Sequence, residues 1–292
     1  MANPGALGTL ISIGSDRAIS PATTSELQIF PIPGDDEFAL QTALGTWSAH
    51  NCPKAVIQIG TNGSYVIPQQ KLRPRSKKVA VPPIELHSSR LVIQAANGYR
   101  PALISDLTID GGGVTAELIL SGLLIAGQIK VTGTLGKLTI IDCTVVPGIT
   151  MNTEGLPASP TMESLIVPAA LETPLRLQIE RSIVGPIRLP DTKVELVISD
   201  SIIDAPEPDS DVTQKLALVG PIIRLERVTV FGRVRVSEIS LAENVLFTAP
   251  VTVTRRDAGR MHHCYLPAGS KTPFRESCQD GSPQLQPAFT AR

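Results

Sequence analysis

The segment LTIIDCTVVPG, Leu138 to Gly148, runs in strand-like alternation, is broken by a polar pair, and resumes in the opposite phase. Similar segments return as LQIERSIVG from Leu177, LVISDSIID from Leu196, IRLERVTVFG from Ile223 and ISLAENVLFT from Ile239. With the first residue of each as position zero, positions zero and two read Leu138/Ile140, Leu177/Ile179, Leu196/Ile198, Ile223/Leu225 and Ile239/Leu241. A strand has period two, so these pairs face one interior. Unbroken alternation puts position four inside as well. That position instead reads Asp142, Arg181, Asp200, Arg227, Glu243 and, in a weaker repeat from Gly259, His263.

The apolar phase restarts at position five (Cys143, Ser182, Ser201, Val228, Asn244, Cys264) and position seven (Val145, Val184, Ile203, Val230, Leu246, Leu266). A switch from even to odd positions means that the chain turns between positions two and five. The polar pair then lies outside the bend, because burying such side chains without partners is too costly. A third strand follows at Ile129/Val131, Ile149/Met151, Ile187/Leu189, Val234/Val236 and Val251/Val253, with Gly127, Gly148, Pro186, Gly232 or Pro250 near its start.

Three short strands per repeat of about 20 residues, with inward columns of Val, Ile and Leu, predict an all-β fold. The expected architecture is a single-stranded right-handed parallel β-helix, the hand taken by analogy with larger β-helices. Leucine-rich repeats require an LxxLxL frame and a fixed Asn, which the chain lacks. Stacked coils turn position four into a column of largely alternating charge, an expected ladder of ion pairs. Asn244 is expected inside, hydrogen-bonding along the stack.

The flanks read differently. Residues 1–34 form an expected extended arm, rich in Ser, Thr, Pro and Gly. GDDEFALQTALGTWSAHN predicts a capping helix within 35–50, centred on about 36–48, with Leu40, Leu44 and Trp47 on one face and Asp35 or Asp36 at its start. AVIQIGTNGSYVI predicts two strands around an Asn62-Gly63 hairpin turn. The β-helix is expected over 51–278 and a tail over 279–292. The 39-residue step from Leu138 to Leu177 contains a Pro-rich loop with room for part of an extra coil.

Composition narrows the classes. Of 292 residues 42% are hydrophobic but only 3% aromatic, so the core is built from aliphatic side chains. A net charge of −1 gives no global attraction to nucleic acid or anionic lipid. No apolar run of about 18 residues is present, and MANPGALGTLISIGSD lacks the features of a secretory signal. The expected location is therefore cytoplasmic or within a particle. Cys52, Cys143, Cys264 and Cys278 have no paired spacing and read as reduced thiols.

Candidate chemistry is sparse. Asp142 and Asp200 share a column, with Arg181 between them and Ser199 beside Asp200. PEPDSD (206–211) offers Glu207, Asp209 and Asp211 on an acidic surface loop. RMHHC (260–264) has metal-ligand residue types, but the register points Cys264 inward and His262 and His263 outward, and Cys278 matches no zinc spacing. KLRPRSKK (71–78) and TRRDAGR (254–260) read as solvated basic loops, GTNGSY as a turn, and TIDGGGVT as a flexible turn without the Lys-Ser/Thr of a phosphate loop. The sequence thus assigns no catalytic, cofactor-binding or metal-binding residue.

The stretches RLVIQAANGYRPAL (90–103), RSIVGPIRL (181–189) and LAENVLFTAPVTVTRRDAG (241–259), followed by CYLPAGSKTP (264–273), resemble uncharacterised bacterial β-helix proteins associated with gene clusters for phage-tail-like contractile particles. The resemblance extends over roughly residues 55–290. It implies a pectate-lyase-like β-helix, and a chain that is a fragment of something longer, but no activity and no site residues. The expected function is a non-catalytic structural or binding module that meets a protein or glycan, with either a monomer or a homo-oligomer allowed. The alternative is a carbohydrate-active enzyme, a polysaccharide lyase or glycoside hydrolase.

Overall fold

In a computed structural model, the described residues are 27–32, 34–67, 83–147, 162–167, 171, 173–190, 193–205, 216–281 and 287. Nearly all of them wind into a solenoid of parallel strands. Three ladders run along it, and most coils contribute one rung to each. The first ladder begins Gln28–Ile32, Ala55–Ile59, Arg90–Ala95, Gly113–Ser121 and Leu135–Ile141, and ends at Phe274–Glu276. The second is a ten-stranded sheet from Ser64–Tyr65 to Gln279–Asp280. The third includes Leu107–Asp110, Ile129–Val131, Leu165–Ile166 and Val251–Val253. In two coils the third and first rungs are one strand, Leu216–Glu226 and Arg233–Glu243, bent at the corner. The expected parallel β-helix is thus the fold.

Inward columns are continuous and aliphatic. Leu118, Leu138, Leu177, Leu196 and Ile223 stack in register on the first ladder, each at most 1% exposed. Ile125, Val145, Val184, Ile203, Val230, Phe247 and Leu266 do so on the second. The scarcity of aromatics is thereby explained, since a strand spacing of about 4.8 Å suits branched aliphatic side chains stacked on their own kind. A smaller apolar cluster, Val56, Val92 and Ile119, occupies the outer side of the first ladder, with Leu27 and Ile141 packed against it.

The corner between the first and second ladders is where the polar residues fall, and its backbone explains them. Gly122, Asp142, Arg181, Asp200, Arg227, Asn244, His263 and Ser277 form one column, and all have φ between 44° and 71°. Left-handed backbone costs a non-glycine L-residue about 1–2 kcal/mol. The column accepts that cost because each turn keeps its N–H in the ladder, as Asp142 does to the Glu180 carbonyl at 3.1 Å and Arg227 to the Glu243 carbonyl at 2.8 Å. The next residue then points inside. Ser277 is exposed at φ 50°, so Ser277→Gly is expected to stabilise the protein by about 0.5–1 kcal/mol, read as a higher urea midpoint. An unchanged or lower midpoint would show that the corner is not strained there.

Several expectations are corrected. Ser240 is an extra residue: Ile223 pairs with Ile239, but Arg224 pairs with Leu241 and Leu225 with Ala242. From that bulge onward the coil is displaced by one, so Ala242, Val245 and Phe247 are buried in place of Leu241, Asn244 and Leu246. Asn244, not Glu243, occupies the corner, and it is exposed rather than bonded within the stack. Gly259 is also exposed. Asn62-Gly63 makes no hairpin, because Ala55–Ile59 and Ser64–Tyr65 belong to different sheets and the turn is a corner of the coil. The TIDGGGVT turn is tight, not loose: a Cβ on Gly111 would lie 2.2 Å from the Thr134 carbonyl oxygen.

The long step holds no additional coil, since Leu138 pairs directly with Leu177 and Val145 with Val184. Ile149 and Met151 lie outside the described residues, and the third rung of that coil is Leu165–Ile166.

Both ends of the stack are modified. The last residues of the expected arm, Gln28–Ile32, form a parallel rung on Ala55–Ile59. The Gln28 N–H and the Ile32 carbonyl bond inward to that neighbour, so the backbone of Pro31 faces the outer edge. A proline there removes a donor that another strand could use. The helix, Ala39–Ala49, packs beside this rung with Leu40 and Trp47 buried, close to the expected range. The Asp36 carboxylate accepts from the Phe38 N–H just before the helix. At the other end, Arg275 pairs with Met261, and Asp280 with Leu266, both core positions. A guanidinium and a carboxylate thus replace two aliphatic side chains, and they bond each other at 2.5 Å. Charge at an inward position of an end rung discourages strand addition.

Candidate functional site

Two surfaces gather the polar side chains. One is the left-handed corner with the adjoining row Glu180, Ser199, Glu226, Glu243, His262 and Glu276, successive neighbours on the first ladder. The expected ion-pair ladder exists there, built around two arginine–aspartate clasps. Arg181 grips Asp142 with Nε–Oδ1 2.8 Å and Nη2–Oδ2 3.1 Å. Arg227 grips Asp200 with Nε–Oδ1 2.5 Å and Nη2–Oδ2 2.8 Å. Glu180 lies 3.4 Å from Arg181, and Glu226 lies 2.6 Å from Arg224. Both clasping guanidiniums are held above their ordinary range, chiefly by the hydrogen bond to the aspartate.

The second surface is a groove of about 700 Å³ at the corner between the third and first ladders. Its lining crosses several coils and includes Arg176, Lys193, Glu195, Ile222, Glu238 and Arg255. Arg176 pairs with Glu195 at 3.0 Å and Arg255 with Glu238 at 2.8 Å. Ile222 is 41% exposed between these pairs. Nothing in the sequence pattern marked this groove. Its residues come from the joints between repeats, and only the coil lengths bring them together.

The residues of RMHHC take the orientations that their register predicted. Cys264 is buried, while the rings of His262 and His263 pack against each other outside, 3.8 Å between centroids. His262 Nδ1 is 4.0 Å from Glu243. No group of three or more His, Cys, Asp or Glu able to hold a metal occurs among the described residues. KLRPRSKK (71–78) and PEPDSD (206–211) lie outside those residues. No helix among them is long and apolar enough to cross a membrane.

All four cysteines are free thiols. Burial pushes Cys143 and Cys264 up to about 12, so neither provides appreciable thiolate near neutral pH. Cys278 is only half-buried. Iodoacetamide at about pH 8 is therefore expected to label Cys278 in the native chain and to spare Cys143 and Cys264 until the chain unfolds. Peptide mapping reads the order, and early labelling of Cys143 would contradict the buried column.

The fold and these surfaces define a parallel β-helix with a mixed-charge exterior. No family model matches the chain, and no curated protein or solved structure matches it either.

Proposed function

We propose that the chain is a non-catalytic structural or binding module, of or encoded with a phage-tail-like particle, whose solenoid presents a surface to a protein or a glycan. One observation carries the non-catalytic part: Asp142 and Asp200 are each held by two bonds from an arginine one coil away. A glycosidase needs two carboxylates about 5–9.5 Å apart and available for proton transfer or attack. A lyase of this shape uses carboxylates to hold a cation. Here they are committed to joining coils. The groove at the opposite corner supports the binding part, since it sets an exposed Ile222 among Arg176, Glu195, Glu238 and Arg255. The particle association rests on the sequence resemblance alone.

The test combines a glycan array with reducing-end assays on acidic polysaccharides. The expected result is no new reducing ends, together with array binding that falls at least about tenfold in Arg176→Glu with Arg255→Glu at unchanged thermal stability. Turnover abolished by Asp142→Asn or Glu243→Gln would replace this reading with the carbohydrate-active enzyme. Presence or absence of the chain in purified contractile particles tests the association separately.

A further inference from the structure

The residue after each left-handed corner turns into the interior, and in the last two coils that residue is cysteine. Tyr265 pairs with Gln279, and the Gln279 N–H bonds the Cys264 carbonyl at 2.8 Å, so Cys278 lies directly in register with Cys264. Both thiols point the same way. Cys264 Sγ donates toward the His262 carbonyl at 3.3 Å, and Cys278 Sγ toward the Glu276 carbonyl at 3.4 Å, the same bond one coil on. Cys278 is near enough to help hold the Cys264 thiol in its protonated form. No other cysteine has such a neighbour: Cys143 has Leu123 and Ser182 beside it in the column, and Cys52 is at the far end of the stack.

We propose that Cys264 and Cys278 are a thiol–disulfide pair, oxidised by a small-molecule disulfide such as oxidised glutathione to a bond that staples the last coil to its neighbour. Adjacent parallel strands stand about 4.8 Å apart. A disulfide spans Cα separations of about 4.4–6.8 Å but draws the Cβ atoms to about 3.5–4.5 Å. A coil clamped on both sides resists that closure. The last rung, Phe274–Glu276, has a ladder neighbour on one side only among the described residues, so it is free to move the remaining fraction of an ångström.

Access sets the order of events. The Cys278 thiolate attacks one sulfur of the glutathione disulfide, forming a mixed disulfide and releasing one glutathione thiolate. Cys264 gives up its proton and attacks Cys278 Sγ. That step forms the internal bond and releases the second glutathione. Two protein thiols are oxidised and one glutathione disulfide is reduced. Burial of Cys264 makes its ionisation the slow step, so the mixed disulfide precedes the internal one.

The experiment treats the full chain with oxidised glutathione at about pH 8, blocks residual thiols with iodoacetamide in urea, and maps non-reduced peptides by mass spectrometry. The expected result is loss of two of the four thiols and a peptide linking Cys264 to Cys278 within one chain. Cys264→Ser is expected to stop at a glutathione adduct on Cys278, and Cys278→Ser to retain all its remaining thiols. A stable glutathione adduct on Cys278 in the unaltered chain overturns the proposal. So does linkage between two chains, or the absence of oxidation where the urea-unfolded chain oxidises readily.

Discussion

Replacing Trp47 with alanine is expected to cost about 3–5 kcal/mol, because the side chain is a large apolar body buried at the end of the stack. Trp47 is 1% exposed, and its indole N–H donates to the Pro53 carbonyl at 2.8 Å. The helix that carries it, Ala39–Ala49, has little stability of its own. It has no side-chain cap bond, no acidic residue in its first turn, and Gly45 near its middle. An isolated helix of that length is marginal in water, so packing through Leu40 and Trp47 holds it.

Loss of the indole leaves a cavity and weakens the helix beside the first rung. Urea denaturation followed by circular dichroism measures the cost. Trp47→Phe retains most of the volume but loses the hydrogen bond, and is expected to cost about 1–2 kcal/mol. If Trp47→Ala unfolds at the urea concentration of the unaltered chain, the helix is an ornament on the solenoid and not its cover.

The corner was legible because its signal is a change of phase, which needs only the order of apolar and polar residues. Asp142, Arg181, Asp200 and Arg227 could be assigned to one column from the sequence, and all four have left-handed backbone. The coil from Ile239 misled for the same physical reason. After Ile239 its sequence ISLAENVLF carries apolar residues in both phases, Leu241/Leu246 and Ala242/Val245/Phe247. A one-residue bulge selects the second set, and only pairing with the coil before it can reveal the bulge. The groove was illegible because Arg176, Glu195, Glu238 and Arg255 are brought together by coil lengths. The Cys264–Cys278 contact depends likewise on register, since their separation in sequence resembles no known pairing pattern.

The second large effect is expected from hydroxyls rather than charges. In two coils the inward residue after the corner is a serine that satisfies a buried N–H from the coil before it. Ser182 Oγ accepts from the Cys143 N–H at 3.1 Å, and Ser201 Oγ accepts from the Ser182 N–H at 3.0 Å. Each hydroxyl donates within its own coil, to the Glu180 carbonyl at 2.7 Å and the Ser199 carbonyl at 2.6 Å. Those carbonyls keep a second donor if the hydroxyl is removed, from the Asp142 and Arg181 N–H groups respectively, whereas the Cys143 and Ser182 N–H groups are bonded to the hydroxyls.

Leaving a buried N–H unmade costs about 1–3 kcal/mol, so Ser182→Ala with Ser201→Ala is expected to cost about 2–6 kcal/mol. The two losses concern different N–H groups, those of Cys143 and Ser182. The clasps just outside make the contrast. Arg227 and Asp200 are 53% and 41% exposed, and Arg227→Met is expected to cost less than about 1 kcal/mol. Urea midpoints of the serine double variant and of Arg227→Met decide between them. If the arginine variant proves the more damaging, the coils are held at this corner by their surface charges, and the buried hydroxyl column is incidental.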